Sequence, residues 1–181
     1  MPLYFAYGSN MDAAAMAARC PGSRAIGVGR LVRHRFVIMR EGYASVVRDP
    51  RRSVWGIVWE LALADMPALD RYEGVAGGLY VKVQQSVVTG AGPRRPLVYV
   101  GRNAGPGQPR PGYLEGVLAA ARDASLPAAY LREIEALLPA GSKQRTEPRP
   151  PSPSWRPAVT PTRASPRVPV QESSKGWRWE P

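Results

Sequence analysis

Two stretches of this chain combine residue types and turns that can do chemistry. The first runs from Tyr4 to Tyr7 with strand composition and continues into Gly8-Ser9-Asn10. This trio favours a sharp bend because glycine adopts positive φ freely, while Ser and Asn bond their own backbone. Residues 11–19 then have helix composition, with Asn10 or Asp12 placed to cap the first turn. The backbone N–H groups of such a strand, turn and helix suit an anion or a developing oxyanion.

The second stretch is centred on Glu73. A carboxylate accepts protons near neutral pH only when its pKa is raised, which burial against apolar walls achieves. Glu73 is flanked by Tyr72 and Val75 and followed by glycines, so the chain can fold it into such a pocket. From these residues alone the alternatives stay open: a solvated carboxylate beside a turn, and a Gly8-Ser9-Asn10 bend that is only a turn.

The elements that must position these residues follow from the apolar pattern. Alternating or continuous apolar runs predict strands at Leu31–Met39, Ala44–Val47, Val54–Leu61, 79–89 and 96–100. Asp65-Met66-Pro67 predicts the start of a short helix through Asp70. A glycine- and proline-rich loop spans 103–111, and helical spacing then predicts two amphipathic helices around residues 114–121 and 130–138.

Composition limits the classes of protein. The chain of 181 residues has one cysteine and a net charge of +11, with +6 in residues 1–140 and +5 in 141–181. One domain, residues 1–140, is expected, followed by a disordered tail at 141–181, where nine of the twenty prolines stand without apolar periodicity. The lone cysteine excludes an intrachain disulfide and favours a cytoplasmic location, as does the lack of a signal-peptide pattern.

The blocks occur in an order that resembles one known family. Tyr4-Phe5-Ala6-Tyr7-Gly8-Ser9-Asn10 is followed by Val-Trp-Gly-Ile-Val-Trp at 54–59, by Leu-Asp-Arg-Tyr-Glu-Gly-Val at 69–75, and by Gly-Leu-Tyr-Val at 78–81. Together they are similar to the gamma-glutamyl cyclotransferase-like family over residues 3–139. The resemblance implies an α+β fold, with a small mixed or antiparallel β-barrel flanked by helices.

The same resemblance implies an activity and a site. Family members release 5-oxoproline from gamma-glutamyl amides by intramolecular acyl transfer, so a small-molecule gamma-glutamyl substrate is expected. Glu73 then corresponds to the general acid and base. The positions implied to bind substrate are Tyr4, Phe5, Ala6, Tyr7, Gly8, Ser9 and Tyr113.

Other partners and functions follow less directly. No cofactor or metal is expected, because the reaction needs none and no His/Cys cluster occurs in the sequence. No membrane partner is expected, since no apolar run is long enough to span a bilayer. Nucleic acid is disfavoured because Lys and Arg never run beyond two in succession, whereas a homodimer is left open. The alternative function is a non-catalytic ligand-binding or scaffold domain with a basic interaction tail.

Overall fold

Residues 1–139 of the chain are described by a computed structural model, and the predicted tail at 141–181 lies outside them. The strands are β1 (Leu3–Ala6), β2 (Arg24–Ile38), β3 (Ala44–Glu60), β4 (Tyr80–Gln84), β5 (Val87–Thr89), β6 (Gly92–Arg94) and β7 (Leu97–Gly101). The α-helices are α1 (Ala13–Arg19), α2 (Met66–Tyr72), α3 (Tyr113–Asp123) and α4 (Ala128–Glu135). Short 3-10 turns at Ser9–Met11 and Leu63–Asp65 precede α1 and α2.

The strands form one mixed sheet in the order β4-β7-β1-β3-β2-β5-β6. Strand β1 lies near its middle, antiparallel to β3 and parallel to β7. The sheet curls into a half-barrel with helices at its flanks, so the expected α+β fold is confirmed. Because β1 is central, the turn that follows it at Gly8 lies among several neighbouring elements.

The long hairpin of β2 and β3 corrects two predicted strand ends. Strand β2 already begins at Arg24 and passes through Gly27 and Gly29, and it absorbs register shifts after Ala25 and after Val32. The predicted strands Ala44–Val47 and Val54–Leu61 are parts of one strand, β3. The break between them corresponds to the second shift, where residues 49–52, which include Pro50, have no paired residue in β2. A proline inside a strand is tolerated at such an irregularity, where its missing N–H breaks no ladder bond.

The predicted strand 79–89 is wrong as one element, because it divides into β4 and β5. Strand β4 pairs with β7, as the predicted pairing of 79–89 with 96–100 requires. Strand β5 instead crosses to β2, and the turn at residues 90–91 joins it to β6. The division coincides with Gln85-Ser86, where apolar alternation is interrupted.

The predicted helices are present, and their apolar faces complete the core. Asp12 caps α1, because its carboxylate accepts bonds from the N–H groups of Ala14 and Ala15 at 2.9 and 3.0 Å. Leu118 of α3 and Ile134 of α4 are fully buried in the core. Among residues 1–139, no helix is both long and apolar enough to cross a bilayer.

The sheet is tightly packed at Gly56 of β3, and Gly116 of α3 provides a loosely packed position for comparison. A Cβ on Gly56 would lie 2.1 Å from the carbonyl oxygen of Ala6, whereas a Cβ on the exposed helical Gly116 would meet nothing within 4 Å. We expect Gly56→Ala to lower the free energy of unfolding by at least about 3 kcal/mol through overpacking. Gly116→Ala, its control, should raise it by about 0.5–1 kcal/mol through helix propensity. Urea unfolding of both variants measures this; equal effects would contradict the packing.

Candidate active site

One pocket opens where the turn after β1 meets α2 and α3. Its cavity measures about 150 Å³ and is open at its mouth, a size that suits a small metabolite. Its wall is dominated by phenol rings, since seven of the eight tyrosines of the chain line it: Tyr4, Tyr7, Tyr43, Tyr72, Tyr80, Tyr99 and Tyr113. Gly8, Ser9, Asn10, Ala44, Glu73 and Leu79 complete the lining.

Glu73 is fixed in this pocket by the way α2 ends. It is the last residue before Gly74, which adopts a left-handed φ of 62°. The N–H of Gly74 donates to the carbonyl of Arg71 at 3.1 Å, and the N–H of Val75 donates to that of Asp70 at 3.1 Å. These two bonds form a Schellman motif, which needs glycine or a residue tolerant of positive φ at this position. The Glu-Gly-Val sequence is therefore a helix stop that rigidly aims one carboxylate.

The carboxylate of Glu73 is buried and bonded on one oxygen. Asn10 Nδ2 donates to Oε1 at 2.7 Å, and the hydroxyl of Tyr4 donates to the same oxygen at 3.4 Å. The side chain is only 8% exposed. Burial raises the pKa of Glu73 to about 7, although the Tyr4 bond, the Arg19 charge and the Asn10 bond oppose the rise. Near neutral pH, Glu73 can therefore both accept and return a proton.

The phenols around Glu73 are held as neutral donors. Burial raises the pKa of Tyr4, Tyr7, Tyr80, Tyr99 and Tyr113, and the nearby Glu73 charge raises each of them further. The hydroxyls of Tyr7 and Tyr80 donate to the carbonyls of Tyr99 at 2.5 Å and Ala44 at 2.6 Å. The Tyr113 hydroxyl accepts the N–H of Ala44 at 3.1 Å. These bonds fix the wall without placing a second charge in it.

Three other polar residues, Asp70, Glu60 and His34, lie outside the pocket lining. Asp70 bonds Lys82 at 2.8 Å and Tyr99 at 2.6 Å. Partial burial raises the pKa of Asp70, but these two bonds outweigh burial and lower it, so Asp70 is a charged anchor. Glu60 forms an ion pair with Arg24 on the neighbouring strand. His34 is buried, and its Nδ1 lies 2.8 Å from the carbonyl oxygen of Val32 on the same strand.

Most of the residues expected at the site converge there. The pocket brings Glu73 together with Tyr4, Tyr7, Gly8, Ser9 and Tyr113. Phe5 and Ala6 do not line it, because both side chains are fully buried in the core beneath β1.

The expected positive φ at Gly8 is also wrong. Its φ is −117°, so glycine is needed there for space: a Cβ would lie 3.0 Å from the Tyr113 hydroxyl.

Several pocket residues were absent from the sequence-based list. Asn10 was considered only as a helix cap, yet its side chain is buried and bonds Tyr4 at 2.9 Å as well as Glu73. Tyr43, Tyr80 and Tyr99 come from three different strands or loops, so no local spacing links them. Only Tyr80 carries a local signal, because it stands in the Gly-Leu-Tyr-Val block at 78–81.

The pocket holds no evident metal-ligand set. Across residues 1–139, no three His, Cys, Asp or Glu side chains lie close enough together to bind a metal ion. The chemistry that this arrangement supports is proton transfer by one buried carboxyl group inside a neutral, hydrogen-bonding wall.

Comparisons with known proteins agree with this architecture. The chain is 30% identical to a gamma-glutamylcyclotransferase of Mus musculus and 29% identical to that of Homo sapiens, in each case over 76% of this chain and 79% of the relative. The chain belongs to the gamma-glutamylcyclotransferase family. The model of the AIG2-like family matches residues 53–134, which include the second half of β3, all of α2 and Glu73.

A solved gamma-glutamyl cyclotransferase has the same fold as this family member. The two superpose with a TM-score of 0.72 at 26% identity, over 81% of this chain and 94% of the other. The match therefore spans nearly the whole solved protein, including the curled sheet and its flanking helices.

The raised pKa of Glu73 predicts a pH-dependent stability. A carboxyl group whose pKa is higher folded than unfolded binds more protons in the folded state, so stability falls as pH rises from 4.5 to about 7. Between these two pH values, the free energy of unfolding of the wild type should fall by on the order of 3 kcal/mol relative to that of Glu73→Gln. Urea unfolding at pH 4 and pH 8 measures the difference. The control Glu115→Gln, at an exposed position, should show the same change in stability with pH as the wild type. A stability difference between wild type and Glu73→Gln that is the same at both pH values would contradict the burial of a carboxylate.

Proposed function

We propose that this chain converts gamma-glutamyl amides into 5-oxoproline and a free amine or amino acid, with Glu73 as the general acid and base. The observation that carries the proposal is a single buried carboxyl group, with a pKa raised to about 7, in a pocket of metabolite size. Relatives named gamma-glutamylcyclotransferase, 29–30% identical, support the same reaction.

The reaction needs a proton carrier between two nitrogens. The α-ammonium of the substrate gives a proton to Glu73, and the free amine attacks the γ-carbonyl carbon, forming the ring C–N bond. Glu73 returns the proton to the amide nitrogen, the old C–N bond breaks, and the extra proton of the ring nitrogen passes to the released amine. The amine leaves as an ammonium ion and no water is consumed. Since Oε1 of Glu73 is bonded to Asn10, Oε2 is the oxygen that faces the substrate.

The wall supplies binding and orientation. Tyr113 accepts a bond from Ala44, which polarises its hydroxyl and makes it a better donor to a substrate oxygen. Gly8 leaves room for the glutamyl backbone beside this hydroxyl, and Ser9 lies at the mouth, 2.9 Å from the Tyr72 hydroxyl. Holding amine and carbonyl in the ring-closing conformer contributes to the rate, because both groups already share one molecule.

The cellular setting is part of the same proposal. A small-molecule substrate and a lone, buried Cys20 both fit a reducing cytoplasm. The competing function, a ligand-binding or scaffold domain, predicts binding of a gamma-glutamyl amide with no release of 5-oxoproline.

The Glu73→Gln variant separates these functions. The amide keeps the shape of the side chain and can accept the Asn10 bond, so the variant should fold and bind a gamma-glutamyl amide. Without a proton acceptor, its kcat should fall by about 10⁴, the upper range for acid–base catalysis, because one residue serves both transfers. The assay follows 5-oxoproline over a panel of gamma-glutamyl amides, with Glu115→Gln as the active control. A variant that keeps a tenth of wild-type activity would remove Glu73 from this role.

The turn at Gly8 provides a test of binding. In Gly8→Val, the added carbons would lie about 3 Å from the Tyr113 hydroxyl and 3.4 Å from Ala44 Cβ, filling space that we assign to substrate. We expect the Kd for a gamma-glutamyl amide to rise at least about tenfold, the equivalent of 1.4 kcal/mol. Calorimetric titration measures it, with Gly90→Val as the control because nothing lies within 4 Å of a Cβ there. Unchanged affinity would show that substrate binds elsewhere.

A further inference from the structure

Arg19 lies at the outer end of a chain of contacts that leads to Glu73. It is the last residue of α1, and its guanidinium bonds Oδ1 of Asn10. It also lies over the ring of Tyr72, with Cζ 3.3 Å from the ring centroid. On the opposite side of the Asn10 amide, Nδ2 bonds Glu73 Oε1 at 2.7 Å and the Tyr4 hydroxyl at 2.9 Å. The amide is thus held between a cation and a carboxylate.

The chemistry of arginine decides the orientation of that amide. A guanidinium has only donors, so it bonds the oxygen end of Asn10 and turns the NH₂ end towards Glu73. Asn10 therefore donates a hydrogen bond to Glu73 and does not accept one from it, which favours the ionised carboxylate. It also occupies Oε1 and leaves Oε2 free of the Asn10 bond.

We propose that Arg19 is a positioning residue for the reaction: through Asn10 it fixes the rotamer and the ionised form of Glu73, while its stacking on Tyr72 holds the guanidinium in place. The proposal rests on the proposed function, since it concerns how Glu73 is prepared for proton transfer. Arg19 itself does not line the pocket, so it acts on turnover through Glu73, by the Asn10 bond and by its own charge.

The charges around Glu73 come from several elements. Burial raises its pKa most, the Arg19 charge lowers it, and Asp70 on α2 raises it. The other titratable groups that face it are neutral phenols on four elements: Tyr4 and Tyr7 at β1, Tyr80 on β4, Tyr99 on β7, and Tyr113 on α3. Arg19 is therefore the cation whose loss most directly changes the protonation of Glu73.

The first test compares pH profiles of kcat/KM in the full chain. In Arg19→Met, the acidic limb should move up by about one pH unit and kcat at pH 7 should fall about tenfold, as expected for one charge-assisted bond. KM should change less than about threefold, because the wall is intact. Arg19→Lys should restore the limb and part of kcat, since it keeps charge and a donor but loses the planar stack. Arg122→Met, an exposed arginine paired with Glu135, is the charge control.

A double variant tests whether the effect passes through Asn10. Arg19→Met should slow Asn10→Ala clearly less than it slows the wild type, because the amide that transmits part of its effect is already absent. An equal slowing in both backgrounds, or a loss of activity in Arg19→Met that is the same at every pH, would make Arg19 merely structural and overturn the proposal.

A measurement without turnover separates this inference from the proposed function. Wild-type protein that releases no 5-oxoproline contradicts the function, whereas the effect of Arg19 on Glu73 can still be read from stability. The free energy of unfolding is compared between wild type and Glu73→Gln, and between Arg19→Met and the double variant Arg19→Met/Glu73→Gln. In the second pair, the pH at which the loss of stability due to Glu73 is complete should be higher by about one unit. An unchanged interval overturns the role of Arg19, whatever the activity.

Discussion

The burial of one carboxyl group against a wall of phenols is the constraint on which this site depends. Glu73 is desolvated, and burial is the largest cause of its raised pKa. A carboxylate in such a place is tolerated only with bonded partners, which Asn10 and Tyr4 provide. The surrounding tyrosines contribute bulk and fixed donors while staying neutral, so the pocket combines low polarity with precise hydrogen bonding. Burying Glu73 costs stability, but the same burial raises its pKa and makes it a competent base near neutral pH.

The fold serves this constraint by bringing distant segments to one point. Central β1 delivers Tyr4 and the Gly8 turn, while the Schellman stop of α2 delivers Glu73. The loop between β7 and α3 is bonded to the end of β2, with Gly107 N–H donating to the Ile38 carbonyl at 3.0 Å. This bond helps to set the start of α3, where Tyr113 closes the pocket against Ala44.

The sequence predicted the local parts of this arrangement better than the long-range ones. Glu73, Gly74 and the turn after β1 are encoded by contiguous residues, so their types reveal them. The wall is not local: Tyr80 and Tyr99 reach the pocket only through the pairing of β4, β7 and β1. Phe5 and Ala6 lie outside the lining, and their membership of a contiguous motif does not reveal that their side chains face the core. The divided strand 79–89 was missed because β5 follows a tertiary preference for β2.

The folded chain holds Glu73 as a carboxyl group that titrates near neutrality. The most direct measurement is a ¹³C NMR titration of protein labelled at glutamate Cδ, with the Glu73 signal assigned by its absence from Glu73→Gln. We expect a midpoint at about pH 7 for this one signal. A midpoint near 4.5, the ordinary value for glutamate, would contradict it.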